Sequence, residues 1–110
     1  MRYMVTNGSR GNVTGERTPL MEACIKNDIE AVRDLLESGE NPNAKNINGT
    51  TPLMYAKSTA VRNGDLTILE LLAEHGADIN ARDNFDKTAL MYLEEYSELV
   101  ISWLKSRGGK

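Results

Sequence analysis

Two stretches carry apolar residues at helical spacing with nearly the same outline, Ile29-Glu30-Ala31-Val32-Arg33-Asp34-Leu35-Leu36 and Leu66-Thr67-Ile68-Leu69-Glu70-Leu71-Leu72-Ala73. Each predicts a helix with one apolar face. Each is preceded by a shorter helical segment that opens on the same tetrapeptide, Thr18-Pro19-Leu20-Met21 or Thr51-Pro52-Leu53-Met54. Threonine is a good N-cap, and proline at the next position lacks only an N–H that would go unpaired anyway. The first of these helices is predicted from Pro19 to about Lys26. Asn27 and Gly64 tolerate the left-handed backbone that stops one helix and turns into the next. Gly39 and Gly76 close the second helices, and the Asn-, Asp-, Pro- and Gly-rich stretches after them are turn-formers that project a loop.

The outline is periodic. Thr18-Pro19-Leu20-Met21 returns 33 residues later at Thr51, and again, as Thr88-Ala89-Leu90-Met91, 37 residues after that. Gly39-Glu40-Asn41-Pro42-Asn43-Ala44 and Gly76-Ala77-Asp78-Ile79-Asn80-Ala81 are also 37 apart, which puts four extra residues between Ala56 and Asn63. Those four would lengthen the first helix of the second unit by about one turn. The third unit lacks the Gly-Asp turn. Leu93-Glu94-Glu95-Tyr96-Ser97-Glu98 forms a shorter connection, and Val100, Trp103 and Leu104 supply the apolar face of a last helix. Its basic, glycine-rich end suits a helix C-terminus, so residues 88–110 read as a terminal cap.

A unit of helix, turn, helix and projecting loop at a 33-residue period resembles the ankyrin repeat, whose pattern includes Thr-Pro-Leu-His-x-Ala. The segment Leu69-Glu70-Leu71-Leu72-Ala73-Glu74-His75-Gly76-Ala77-Asp78-Ile79-Asn80-Ala81 is similar to the family's repeat ending. The resemblance covers Thr18 to about Gly108. It implies an all-α ankyrin-repeat solenoid of helix-turn-helix units joined by projecting β-turn loops, with repeats at about 18–50, 51–87 and 88–110. Residues 1–17 read as a polar lead. Asn7-Gly8 is a hairpin signal, and Asn12 to Arg17 lie where a first loop finger would precede Thr18. The family's histidine is methionine in every copy (Met21, Met54, Met91), which reads as core filler rather than as a ligand groove.

Composition narrows the chemistry. The chain has 110 residues, a net charge of −3, one cysteine and one histidine. A lone Cys24 excludes an internal disulfide or a cysteine-rich zinc site. Cys24 lies between Ala23 and Ile25 on a first helix, where a small buried role fits better than a reactive thiol. His75 sits at a helix end with no fixed partner in view, so catalysis or metal binding centred on His75 or Cys24 is the weaker alternative. Asp78, Asp83 and Asp86 lack the glycine and terminal glutamate of a calcium loop. Asn7, Asn12 and Asn48 match the glycosylation pattern only as polar turn residues. We therefore expect no catalytic residue, no metal and no cofactor. Residues 1–17 carry +2 and the remainder −5, a poor balance for binding phosphates. No apolar run is long enough to cross a membrane, and no secretory signal opens the chain. The expectation is a cytoplasmic monomer that binds neither nucleic acid nor membrane.

The resemblance implies a protein-interaction module whose partner lies against the loop fingers and the first helices. The alternative within the family is a structural piece of a larger ankyrin scaffold. The finger tips read Lys45-Asn46-Ile47-Asn48-Gly49-Thr50 and Arg82-Asp83-Asn84-Phe85-Asp86-Lys87. Large apolar side chains have no folding reason to occupy a loop tip, so Ile47 and Phe85 are candidate anchors. Lys45, Asn48, Thr50, Arg82, Asn84 and Lys87 are candidate polar contacts around them. In the inserted turn, Ser58, Thr59 and Arg62 are expected to protrude and join the partner surface. Tyr55 and Tyr92, equivalent on the first helices of the second and third units, are expected half-buried with their hydroxyls in solvent.

Overall fold

A computed structural model describes residues 17–94 and 97–110. The hairpin signal at Asn7-Gly8, most of the first-finger reading at 12–17, and Tyr96 lie outside the described residues. Five α-helices follow in order: α1 (Pro19–Ile25), α2 (Ile29–Glu37), α3 (Pro52–Asn63), α4 (Thr67–Glu74) and α5 (Glu98–Ser106), with a 3₁₀ turn, Leu90–Tyr92, before the last. Among the described residues there is no strand. In the first two units first helix stacks on first and second on second, α1 on α3 and α2 on α4; within the units α1 packs on α2 and α3 on α4, and α5 packs on α3.

The helix boundaries follow the local chemistry. Thr18 caps α1, its hydroxyl accepting from the Met21 N–H at 3.2 Å. The Thr18 N–H in turn donates to the Met21 sulfur at 3.4 Å, so the thioether takes the part that Glu or Gln plays in a capping box. The Thr51 hydroxyl caps α3 by accepting from the Met54 N–H at 3.4 Å, without the sulfur contact, and the Asp28 carboxylate caps α2 through the Ala31 N–H. The turns between paired helices pass through left-handed residues, Asn27 at φ 57° and Gly64 at φ 67°. Leu20, Cys24, Val32, Leu53, Leu69, Leu72, Val100 and Leu104 form the sealed core.

The inserted residues do lengthen a first helix: α3 has twelve residues where α1 has seven. Their extra turn is partly structural. The Thr59 hydroxyl donates to the Cys24 carbonyl at 2.8 Å and the Arg62 guanidinium to the Ile25 carbonyl at 3.3 Å. Both are carbonyls at the end of α1, and the Cys24 carbonyl also accepts from the Asn27 N–H at 3.3 Å.

Two expectations are corrected. The third unit does not begin with a helix, only the turn Leu90–Tyr92, after which Leu93 is already extended. Where the turn ends, Met91 lies at the surface. Met21 and Met54 are buried core filler, but Met91 is 46% exposed.

Candidate interaction surface

The two fingers are built by one device. Asn46 accepts from the N–H groups of Asn48 and Thr50 through Oδ1, at 2.9 and 3.0 Å. Asp83, 37 residues on, does the same for Phe85 and Lys87, at 2.9 and 3.1 Å. In each finger a β-turn closes beneath the tip, Gly49 N–H to Asn46 carbonyl and Asp86 N–H to Asp83 carbonyl. The fingers are then fastened side by side. The Asn84 N–H donates to the Asn48 carbonyl at 3.0 Å, the Asn84 amide to the Ile47 carbonyl at 2.8 Å, and the Lys45 ammonium to the Arg82 carbonyl at 3.0 Å.

A second fastening lies lower down, and sequence reasoning did not find it. The Asn43 side chain donates to the Gly76 carbonyl at 3.0 Å and accepts from the Asp78 N–H at 2.7 Å. Asn80 repeats the pair on the next unit, donating to the Gly108 carbonyl and accepting from the Lys110 N–H. The periodic Asn of the Gly39 and Gly76 segments was the available signal.

Fixed backbones leave the tip side chains turned outward. Ile47 is 60% and Phe85 73% exposed. Asn48, Arg82, Asn84 and Lys87 are exposed, while Lys45 and Thr50 are half-buried. Arg82 is partly spent on its own finger, donating to the Asp86 carbonyl at 2.8 Å. Finger residues are thus brought together, whereas Ser58 and Arg62 lie exposed on the far half of α3. Thr59 is a correction: it is 2% exposed, because its hydroxyl seals the end of α1. It is not available to a partner.

Tyr55 is half-buried as expected, whereas Tyr92 is exposed. Tyr55 accepts from the Asn46 amide at 2.9 Å, and the Tyr92 hydroxyl donates to the Asp83 carboxylate. Each hydroxyl has a protein partner, Tyr55 in a half-buried setting and Tyr92 at the exposed surface. Tyr92 is itself 42% exposed, with the ammonium groups of Lys57 and Lys87 at 5.0 and 5.6 Å from its ring centre. Partial burial pushes the Asp83 carboxyl upward. The Tyr92 hydroxyl, the Lys87 and Phe85 N–H groups and the Lys87 charge outweigh it and hold the carboxyl below the ordinary aspartate range.

Lys57 is the residue the sequence reading missed. It is 9% exposed, and burial pulls its ammonium below the ordinary lysine range, opposed in part by the charge of Asp83. The repeat alignment carried the signal, since Lys57 stands where the first unit has the fully buried Cys24. Cys24 is closed to chemistry, because burial pushes its thiol up to about 12 and the thiolate is the reactive form. His75 caps the end of α4 from the surface, with Nδ1 3.0 Å from the Leu71 carbonyl. Among the described residues, no three His, Cys, Asp or Glu side chains gather as a metal site would need, and no helix is long and apolar enough to cross a membrane.

Stacked helix pairs with fastened loop fingers define a repeat solenoid with an extended recognition face. The family model described as "Ankyrin repeats (3 copies)" matches residues 1–83 and 20–109. The chain belongs to the ankyrin-repeat family. It is 31% identical over 91 residues to the E3 ubiquitin-protein ligase KEG of Arabidopsis thaliana, covering 80% of this chain and 5% of that protein. It is 43% identical over 71 residues to an ankyrin repeat protein of fowlpox virus, covering 64% and 9%. It is 38% identical over 69 residues to the cyclin-dependent kinase 4 inhibitor B of Bos taurus, covering 63% and 49%. The matched segment therefore spans less than half the length of each of these relatives. Ankyrin repeats are protein-interaction modules and in general are not catalytic.

Proposed function

We propose that this chain binds a partner protein through its two fingers and the adjoining first-helix face, without catalysis, as a cytoplasmic monomer. The observation that carries the reading is the pair Ile47 and Phe85. They are the two most exposed large apolar residues of the described chain, held on neighbouring tips by bonds to the Ile47 and Asn48 carbonyls. Rigid apolar anchors ringed by polar groups are the make-up of a binding hot spot. Lys45, Asn48, Thr50, Arg82, Asn84 and Lys87 form that ring, and Ser58 and Arg62 extend it along α3. The relative whose name describes a kinase inhibitor acts on another protein, which agrees with this reading. The greater length of the relatives favours a second reading, in which the same face works as part of a larger ankyrin scaffold.

The test is affinity capture from the source cell with the wild-type chain and with Ile47→Ala/Phe85→Ala. Both side chains are exposed, so the melting temperature should hold. Retention of the captured partner should fall about tenfold or more, as expected when anchors are removed. Equal retention by the two chains would reject the site.

A further inference from the structure

The inserted turn of α3 does more than seal α1. The third unit gives up its first helix after Tyr92, so the far half of α3 overhangs a groove. One part of the groove is a cavity of about 210 Å³ between Lys57, Ser58 and Arg62 on one side and Tyr92, Leu93 and Glu94 on the other. A second cavity of about 150 Å³ shares Val61 and Ser97 with the first and is otherwise walled mainly by Ala60, Val100 and Leu99. The groove thus has a cationic end and an aliphatic end. Leu99 is 51% exposed.

Charge decides what belongs there. α3 carries Lys57 and Arg62 and no acidic residue, whereas α2 and α4 carry Glu30, Asp34, Glu37, Glu70 and Glu74 against Arg33. Lys57 is buried and, among the described residues, forms no ion pair; the centre of the Tyr92 ring lies 5.0 Å away, and the Asp83 carboxylate acts on it from beyond ion-pair distance. A buried ammonium with no anion in contact is costly, and an incoming carboxylate relieves that cost. Arg62 commits one nitrogen to the Ile25 carbonyl and keeps the rest of its donor fork. Glu94 lines the same cavity from its exposed opposite rim and opposes an incoming acid, so the two cations of α3 have to outweigh it.

We propose that this groove receives an acidic segment of the partner protein, one carboxylate side chain lying between Lys57 and Arg62 and an aliphatic neighbour against Val61 and Leu99. This rests on the interaction reading and names the partner's chemistry. Nucleic acid also presents anions, but it offers no aliphatic group for the second cavity.

The test titrates a blocked glutamate–leucine peptide into the isotope-labelled full chain and follows backbone amide shifts. Saturating shifts centred on Lys57, Arg62, Ser97 and Leu99, absent with the glutamine counterpart, support the groove. Lys57→Met and Arg62→Gln should each weaken binding about tenfold, the loss of one charge-assisted contact. Arg33→Gln on α2 should leave it unchanged. Lys57→Met removes a buried charge, so it should melt no lower than wild type. Shifts spread evenly over the surface, affinity unchanged in Lys57→Met, or tighter binding of a short oligothymidylate in the same groove would each overturn the proposal. If the fingers fail, Ile47→Ala/Phe85→Ala leaves capture intact while the peptide shifts persist. If the groove fails, capture still depends on the fingers while the peptide shifts vanish.

Discussion

Thr51-Pro52-Leu53-Met54 opens a helix of twelve residues, while Thr88-Ala89-Leu90-Met91 opens a 3₁₀ turn of three. The tetrapeptides are nearly the same, so the divergence arises in the residues downstream of them. After Met54 the chain supplies Ala56, Thr59 and Ala60, small residues at 1 to 3% exposure that let α3 lie close to its neighbours. After Met91 it supplies Tyr92, Leu93 and Glu94, of which Leu93 packs against the core while Tyr92 and Glu94 are exposed. Even the cap differs: the Thr51 hydroxyl accepts from the Met54 N–H, whereas the Thr88 hydroxyl is buried without a partner among the described residues. A start signal is therefore not a helix. Packing along the later turns decides whether one forms, as expected when tertiary burial rather than propensity supplies most helical stability.

The largest way to break the comparison is to truncate the methionine at the same motif position in each unit. Met54→Ala should cost about 2–5 kcal/mol, the usual loss for emptying a core site. Met91→Ala should stay within about 0.5 kcal/mol, because its side chain already meets water. Urea unfolding followed through the single tryptophan, Trp103, measures both; equal losses would mean that Met91 is covered. The next effect compares the fingers. Gly49 at φ 78° would place a Cβ 2.7 Å from the Asn84 side-chain oxygen. Its counterpart Asp86 holds the same left-handed conformation at φ 63°, with its side chain 84% exposed. Gly49→Ala should cost about 2 kcal/mol, and Asp86→Gly about 0.5 kcal/mol in either direction; matching costs would show that the two fingers are not stacked as described.

The smallest effect concerns Asn46 and Asp83, which build the same tip with and without a charge. Asp83 titrates below the ordinary aspartate range, so its contribution to stability is present above that range. It is lost as pH falls through the lowered value. The melting temperature of the wild type should decline on strong acidification, and Asp83→Asn should flatten that decline. An identical acid profile would separate Asp83 from finger stability.

The sequence carried the periodic architecture because its signals are local. Thr caps, Asn27, Gly64 and the apolar faces of α2 and α4 act within a few residues of themselves. The buried Thr59 and Lys57, the exposed Met91 and the groove under α3 depend on which neighbour arrives from another unit, or fails to arrive. For the candidate site, the exposure of Ile47 and Phe85 was legible because both are apolar residues in polar turns. Thr59 was misjudged because its partner is a carbonyl 35 residues away.

The asparagine fastenings carry a consequence for how such a chain can vary. Asn43 and Asn80 grip only a backbone carbonyl and a backbone N–H two residues on, and the gripped residues include Asp78 in one case and Lys110 in the other. Opposite charges serve equally because the receiving half of each joint contains no side chain. The couplings are therefore interchangeable. Surface residues beside a junction are free to drift toward a new partner while the joint beneath them stays closed.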